Sequence, residues 1–351
     1  MQFRWLMMAG FISSPVWAQD PSGLKISASV DLVGSYKADQ KSTAEDKFAP
    51  REAEIILTAP IDATFDGMLS FAAHQEEGEA VSELHEAYIR SSRLIPRSNI
   101  RAGQFFLGLG RLNRLHRHEW PIIVAPKVHE AFFGEEGALD SGIEYSYLAP
   151  LPFFLETTLG VTNGFTYGHA HDEGEKPKKP THYARIATYF DLPAQGGAQI
   201  ALNYLSRTDA ESTTTTLTGL DFTAKWREAG VLQYLVQSEI WHRTLTPDGG
   251  TSEETLGAYV LPQYAFDAQL SLGILIDYLS VLSLKDAAGN TVDNSILGVV
   301  PTLTYKASEF STLRVAYNHS QTQREDQADS TEKRLELQAT FIMGAHPAHD
   351  F

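Results

Sequence analysis

The chain has 351 residues, no cysteine, and 28 Lys plus Arg against 44 Asp plus Glu, for a formal charge of −16. That balance excludes nucleic acid as a partner, because neutralising phosphate needs a Lys/Arg surface. A cysteine-free chain has no disulfide framework, and beyond the first eighteen residues no stretch is apolar for long enough to be a transmembrane helix.

The N-terminus reads as a signal peptide over residues 1–18. Met1 to Arg4 is a basic n-region, Trp5 to Ile12 a short apolar h-region, and Val16-Trp17-Ala18 places small residues at the two cleavage-defining positions. The expected mature chain, 19–351, reads as one domain.

From Leu24 onward the hydropathy alternates with period two. Leu24, Ile26, Ala28, Val30 and Leu32 face one way, and Lys25, Ser27, Ser29 and Asp31 the other; Ala53, Ile55 and Leu57 oppose Glu52 and Glu54 within 51–58. Strand-like segments follow near 63–74, 83–91, 98–107, 141–149, 152–161, 182–191 and 198–207. Others lie near 215–226, 231–242, 255–265, 268–280, 296–306, 310–321 and 333–342. That makes sixteen, an even number as a single-chain bacterial barrel requires.

The connections alternate in length. Brief Pro/Gly/polar turns at 60–62, 93–97, 149–152, 192–197, 227–230, 266–267 and 307–309 separate longer inserts such as 37–50, 108–140, 162–181, 243–254, 281–295 and 322–332. Short turns on one side and long loops on the other mark an outer-membrane barrel, whereas a β-sandwich has no reason to sort its loops by parity. The predicted fold is therefore all-β: a transmembrane antiparallel barrel of about sixteen strands with its long third outer loop folded into the lumen.

Charge facing hydrocarbon is costly, so the charged members of each alternation are assigned to a polar, water-holding lumen. Leu313, Val315 and Tyr317 then face lipid while Thr312, Arg314 and Asn318 face inward. Leu270, Leu272, Ile274, Ile276 and Tyr278 oppose Gln269, Ser271 and Asp277 in the same way, and Leu335, Leu337, Ala339 and Phe341 alternate with Arg334, Glu336, Gln338 and Thr340. Aromatic residues at strand ends, among them Phe153, Phe190, Tyr264 and Tyr305, read as interface girdles.

The longest insert, 108–140, concentrates the chemistry. Arg111, Arg114, Arg117 and Lys127 are candidates for the positive side of a constriction, and Glu119, Glu135 and Glu136 for its negative side, since charges in a narrow mouth focus the field. The plainer reading is that these charges pair and pin the loop to the wall; the two are compatible. Its apolar run 121–126 is expected to pack on the inner wall or rim. Glu144, Glu156, Arg101, Arg185 and Arg314 are expected as lumen charges. Glu144 and Glu156 on adjacent strands resemble a general acid/base pair, but in a barrel such carboxylates belong more readily to a charge lattice. No G-x-S-x-G, phosphate loop or Ser/His/Asp grouping appears, so no enzyme is expected.

Histidines form two H-x-H groups with adjacent carboxylates, His116/His118 and His169/His171. An extended H-x-H can offer zinc or copper ligands, with His129 or His182 completing the set. The alternative is that they are ordinary polar loop residues. His346 and His349 make a third small group.

The stretches REAEIILTAPIDATFDGMLSFA, SELHEAYI, IRAGQFFLGLGRLNRLHRHEW, FFGEEGALDSGIEYSYLAPLPFFLETTLGVTNG and the terminal GAHPAHDF resemble a porin-type family of outer-membrane proteins. That family is distantly similar to the phosphate-selective porins O and P, and some relatives are labelled zinc-regulated outer-membrane receptors. The resemblance spans roughly residues 51–190 and the last ten. It implies a porin-like barrel with an inward third loop and a link to divalent metal.

The expected function is thus passive diffusion of small hydrophilic or charged solutes across the outer membrane, through a pore constricted by 108–140. A metal-binding or uptake barrel using zinc or another divalent metal, and a non-conducting structural or adhesive barrel, are the alternatives. Outer-membrane lipid, lipopolysaccharide and the barrel-assembly machinery are the expected partners, and a homotrimer stays open as the assembly.

Overall fold

The computed structural model describes residues 23–37, 48–76, 79–164, 176–283, 294–324 and 327–344. The expected signal peptide and His169, His171, His346 and His349 lie outside them. In chain order the strands are β1 (Lys25–Lys37), β2 (Ala49–Pro60), β3 (Asp66–Glu76), β4 (Glu79–Ser91), β5 (Ser98–Phe106), β6 (Leu139–Leu148), β7 (Phe154–Thr162) and β8 (Lys179–Leu192). They continue with β9 (Gly196–Thr208), β10 (Thr214–Glu228), β11 (Val231–Thr246), β12 (Glu253–Ala265), β13 (Leu270–Val281), β14 (Asn294–Ser308), β15 (Ser311–Arg324) and β16 (Gln327–Gly344). Each pairs antiparallel with its chain neighbours, and β1 pairs with β16, so the sheet closes on itself and leaves no edge.

Alternation sets the facing. On β13, Leu272, Ile274, Ile276 and Tyr278 are exposed on the outside while Ser271 and Asp277 are buried inside. Leu313, Val315 and Tyr317 are likewise outward, and Arg314 and Asn318 inward. Exposed aliphatic and aromatic residues of this kind recur on most of the strands, from Ile26 on β1 to Phe341 on β16, and make the apolar belt that a membrane requires. Near the turns, Tyr234, Tyr264 and Phe266 are exposed and in ring contact at 5.0 and 5.2 Å, part of an aromatic girdle. Two of the short turns are locked by an aspartate: Asp62 accepts from the amides of Thr64 and Phe65, and Asp267 from those of Gln269 and Leu270.

Two expected long inserts are mostly strand. β11 runs to Thr246 and β12 starts at Glu253, while β15 and β16 pair up to Arg324 with Gln327. Thr, Ser, Gln and Glu dominate these extensions. They carry no hydropathy signal, yet their backbones continue the ladder, which is what holds a strand beyond the hydrocarbon.

A second departure concerns the lumen, which is not polar throughout. Tyr183 on β8, Leu205 on β9, Leu217 on β10, Trp241 on β11, Tyr259 and Leu261 on β12, Leu275 on β13, Val300 on β14 and Ala316 on β15 are all buried at inward positions. They form one cluster with Leu107, Leu109, Leu112, Leu115, Trp120, Ile122, Ile123, Val128, Phe132 and Phe133 of the β5–β6 connection. The expected packing of the apolar run 121–126 is met by Ile122, Ile123 and Ala125, all buried.

Candidate functional site

The β5–β6 connection, 107–138, runs against inner faces on opposite sides of the ring. Leu107 N–H donates to Ala138 O at 2.9 Å, and Asn113 donates to both Leu107 O and Ala138 O, so the base of the segment is tied shut. Beyond that base the backbone has no strand partner, and wall side chains meet its amides. Gly108 N–H donates to Glu144 (3.1 Å), Gly110 N–H to Asn203 (3.0 Å), and Arg111 and Leu112 N–H to Glu239 Oε1 (3.1 and 3.0 Å). Lys127 N–H donates to Asp277 at 2.8 Å, while Arg51 and Arg243 donate to the carbonyls of Ile123 and Ala131.

Local sequence shapes the segment between these anchors. Gly110 has φ of +61°, and a Cβ there would run into Glu239 Oε2 and the Trp241 ring, so only glycine permits this approach. A 3-10 turn over Leu112–Arg114 precedes a second over Arg117–Glu119, where Glu119 accepts from the His116 amide in a capping box. Trp120, fully buried, donates its indole N–H to the carbonyls of Leu112 and Leu115. Pro126 then caps helix α1 (Lys127–Phe133), which sits against β12 where Gly257 leaves room for Val128.

The apolar side of the segment therefore docks on β8–β15, and a polar cavity of about 260 Å³ is left on the β2–β7 side. Arg90, Arg101, Arg111 and Arg114 line it together with Glu86, Glu119, Glu144 and Glu156. Of the residues expected at a constriction, Arg111, Arg114 and Glu119 line this space. The others are engaged elsewhere: Arg117 with Glu135 (3.7 Å), Lys127 with Glu130 (2.9 Å) and Glu136 with His85 (3.3 Å).

Among the expected lumen charges, Glu144 binds Arg101 (2.7 Å), Tyr183 and the Gly108 amide. Glu156 pairs with Leu148 and Glu144 with Gly160 in the ladder, an offset of four positions or about 13 Å along a strand. Such an offset, with Glu144 already committed to an ion pair, is poor geometry for an acid/base pair. Arg185 is buried against Asp221 (3.0 Å), and Arg314 against Gln338 beside the Asp31–Arg51 ion pair.

His116 and His118 do come together, on the β1–β4 side. His116 Nδ1 lies 2.9 Å from Glu54 and its Nε2 3.0 Å from Glu86; His118 Nδ1 faces Glu54 (3.3 Å), Glu52 (3.5 Å) and the Ser29 hydroxyl (3.3 Å). Burial alone would lower the His116 imidazole, but the facing Glu54 and Glu86 carboxylates outweigh it and hold the ring well above its usual range. His74, His85, Glu83 and Glu136 continue the same cluster. Sequence reasoning missed His74, His85, Glu52, Glu54 and Glu83 as site residues, although His74 and Glu52 are ladder partners and all five are inward polar positions on adjacent strands. His129 is elsewhere, packed edge-on to Trp120 (4.8 Å) and near Phe133 (5.4 Å). Burial there, with Arg117 adding repulsion, pushes its imidazole down to about 3. His182 is exposed on the outer side of β8.

No family model matches the chain. An uncharacterized protein of Aquifex aeolicus (strain VF5) is 27% identical over 329 residues, covering 85% of this chain and 69% of its own length. Among solved structures, the outer-membrane channel DcaP of Acinetobacter baumannii superposes with a TM-score of 0.63 at 12% identity, covering 91% of this chain and 97% of its own. The outer-membrane protein OmpT of Vibrio cholerae, in its trimer form, gives 0.61 at 8% identity, covering 91% and 99%. The barrel has the porin fold. With its apolar belt, a porin-type barrel of this kind resides in the outer membrane.

Two predictions follow from how the segment is held. Glu239→Leu removes the acceptor for two backbone amides, each costing about 1–3 kcal/mol when left unmet; hydrogen exchange by mass spectrometry should show 107–115 exchanging faster while the strand amides stay protected. The second concerns pH. Neutral His129 in the fold has its pKa below the unfolded value, so stability is full above about 6.5 and drains as pH falls toward 3. Between pH 7.5 and 4.5 the wild type should lose roughly 2–3 kcal/mol more than His129→Phe in urea unfolding; equal losses would remove His129 as the cause.

Proposed function

We propose that the protein is an outer-membrane channel for passive diffusion of small hydrophilic or charged solutes, narrowed by the segment 107–138. The observation that carries this reading is the polar cavity between the segment and β2–β7, where four arginines and four glutamates line one space. Solute passing there exchanges water for fixed charges of both signs, so filtering is by size and field with no chemistry or energy input. The channel fold shared with DcaP supports the reading at the level of architecture. Arg111 and Arg114 supply the positive wall of the narrowing; Glu119, Glu144 and Glu156 supply the negative one.

In planar bilayers the refolded protein should show discrete conductance steps. Deleting 116–133 should raise single-channel conductance several-fold, and Arg111→Ala with Arg114→Ala should shift the reversal potential in a salt gradient toward cation preference. Each variant is scored only if it keeps the heat-modifiable migration of a folded barrel. A folded wild type without conductance steps would make the barrel structural or adhesive and end the channel reading.

A homotrimer is the assembly we attach to this proposal, with support from the fold shared with OmpT in its trimer form. Light scattering in detergent should give three protein masses per particle; a single mass removes the trimer without touching the channel.

A further inference from the structure

We propose that the inner wall holds a divalent transition-metal cation on His74, Glu83, His85 and Glu136. His74 comes from β3, Glu83 and His85 from β4, and Glu136 from the base of the inserted segment. Their ligand atoms all lie within 4.8 Å of one another. His85 Nε2 is 3.1 Å from Glu83 Oε1 and 3.3 Å from Glu136 Oε2, and His74 Nδ1 is 3.5 Å from Glu83 and 3.9 Å from Glu136. A tetrahedral ion with bonds of about 2.0–2.1 Å holds its ligands about 3.3 Å apart, so the four side chains already surround a space of the right size.

The donor chemistry narrows the class of ion. Two imidazole nitrogens favour zinc, cobalt, nickel or copper over magnesium or calcium, which prefer all-oxygen sites. Two carboxylates bring two negative charges and balance a divalent cation. A second feature points the same way: the other His85 nitrogen, Nδ1, faces Glu54 at 3.8 Å, and a carboxylate behind the distal nitrogen is how a ligating imidazole is usually held in orientation. His85 itself is 98% buried, which fixes its ring.

Two overlapping groups, Glu54/His85/His116 and Glu52/Glu54/His118, lie alongside. The two share Glu54, the first also shares His85 with the proposed seat, and each offers three donors, so the four-donor set is preferred. The consequence is mechanical. Glu136 lies two residues before Ala138, which closes the segment on Leu107, so the bound cation would clip the base of the segment to the β3–β4 hairpin.

The inference needs the barrel but not its conductance. The test uses the full-length folded protein in detergent, stripped with EDTA and titrated with Co2+, then displaced with Zn2+. The expected result is one equivalent per chain with the strong visible bands of a tetrahedral Co2+ site, and no competition from Mg2+. His74→Gln and Glu136→Gln should each weaken uptake by at least about 10-fold, while His242→Gln, at the far side of the barrel, should not. If the wild type takes up no cation, the four groups form imidazole–carboxylate contacts only and the proposal fails. If uptake is unchanged in both ligand variants, the cation sits elsewhere and the proposal fails equally. Conductance of the stripped protein, measured in parallel, separates the two readings: a conducting barrel without cation binding loses only the metal site, and a cation-binding barrel without conductance loses only the channel.

Discussion

A backbone that enters a closed barrel has no strand to pair with, and that constraint governs this molecule. Most ladder positions are already taken, because β1 pairs with β16 and the ring closes; on its β5 side β4 pairs only over Ala87–Ser91. Amides left unmet inside would each cost free energy comparable to a lost hydrogen bond. The wall answers with side-chain acceptors: Glu144 for Gly108, Asn203 for Gly110, Glu239 for Arg111 and Leu112, and Asp277 for Lys127. Much of the inward acidity is therefore committed to holding backbone. The formal charge of −16 is for this reason a poor guide to ion preference, since an anchored carboxylate in a buried pocket adds less to the field of a water-filled passage than one that lines it.

The same constraint explains what could be read from sequence and what could not. The sixteen strands were legible because each buries one face in lipid and turns the other inward, which imposes period two on LSLGILIDYL as on RVAYNH. Pairing of β11 with β12 and of β15 with β16 beyond the belt was not, because Thr, Ser and Glu in those extensions alternate nothing. Inward Leu275 stands on a face that it shares with the polar Ser271 and Asp277. Ile274-Leu275-Ile276 is a break in alternation, and similar inward apolar residues at Leu217, Tyr259 and Val300 mark where something apolar docks. Such breaks on consecutive strands are the sequence signature of the docking wall on which Trp120 and Phe133 pack.

The site divides along the same line. Arg111, Arg114 and Glu119 could be nominated because they crowd into one charged insert. His116 and His118 could be nominated from their H-x-H spacing. Their partners Glu52, Glu54, His74 and His85 could not, since they come from three other strands and look like ordinary inward polar residues; only the register of β2, β3 and β4 gathers them. His129 shows the converse. It shares the insert and the residue type, yet a neighbouring Trp and Phe make it a packing residue that stays neutral. The fold is shared with remote porin structures at 8–12% identity.

The segment is two-faced, and its two faces decide where the barrel can be used. One side presents Leu109, Leu112, Ile122, Val128 and Phe133 to β8–β15, a dry contact in which no hydrated solute can travel. The other presents Arg111, Arg114, His116 and Glu119 to β2–β7, where the cavity lies. Glu86 and His116 belong to both the cavity lining and the histidine–glutamate cluster, 3.0 Å apart. Any solute using the cavity thus passes against the groups that gather the histidines. Packing an apolar segment against one half of the lumen thus places the polar cavity and the histidine–glutamate cluster side by side.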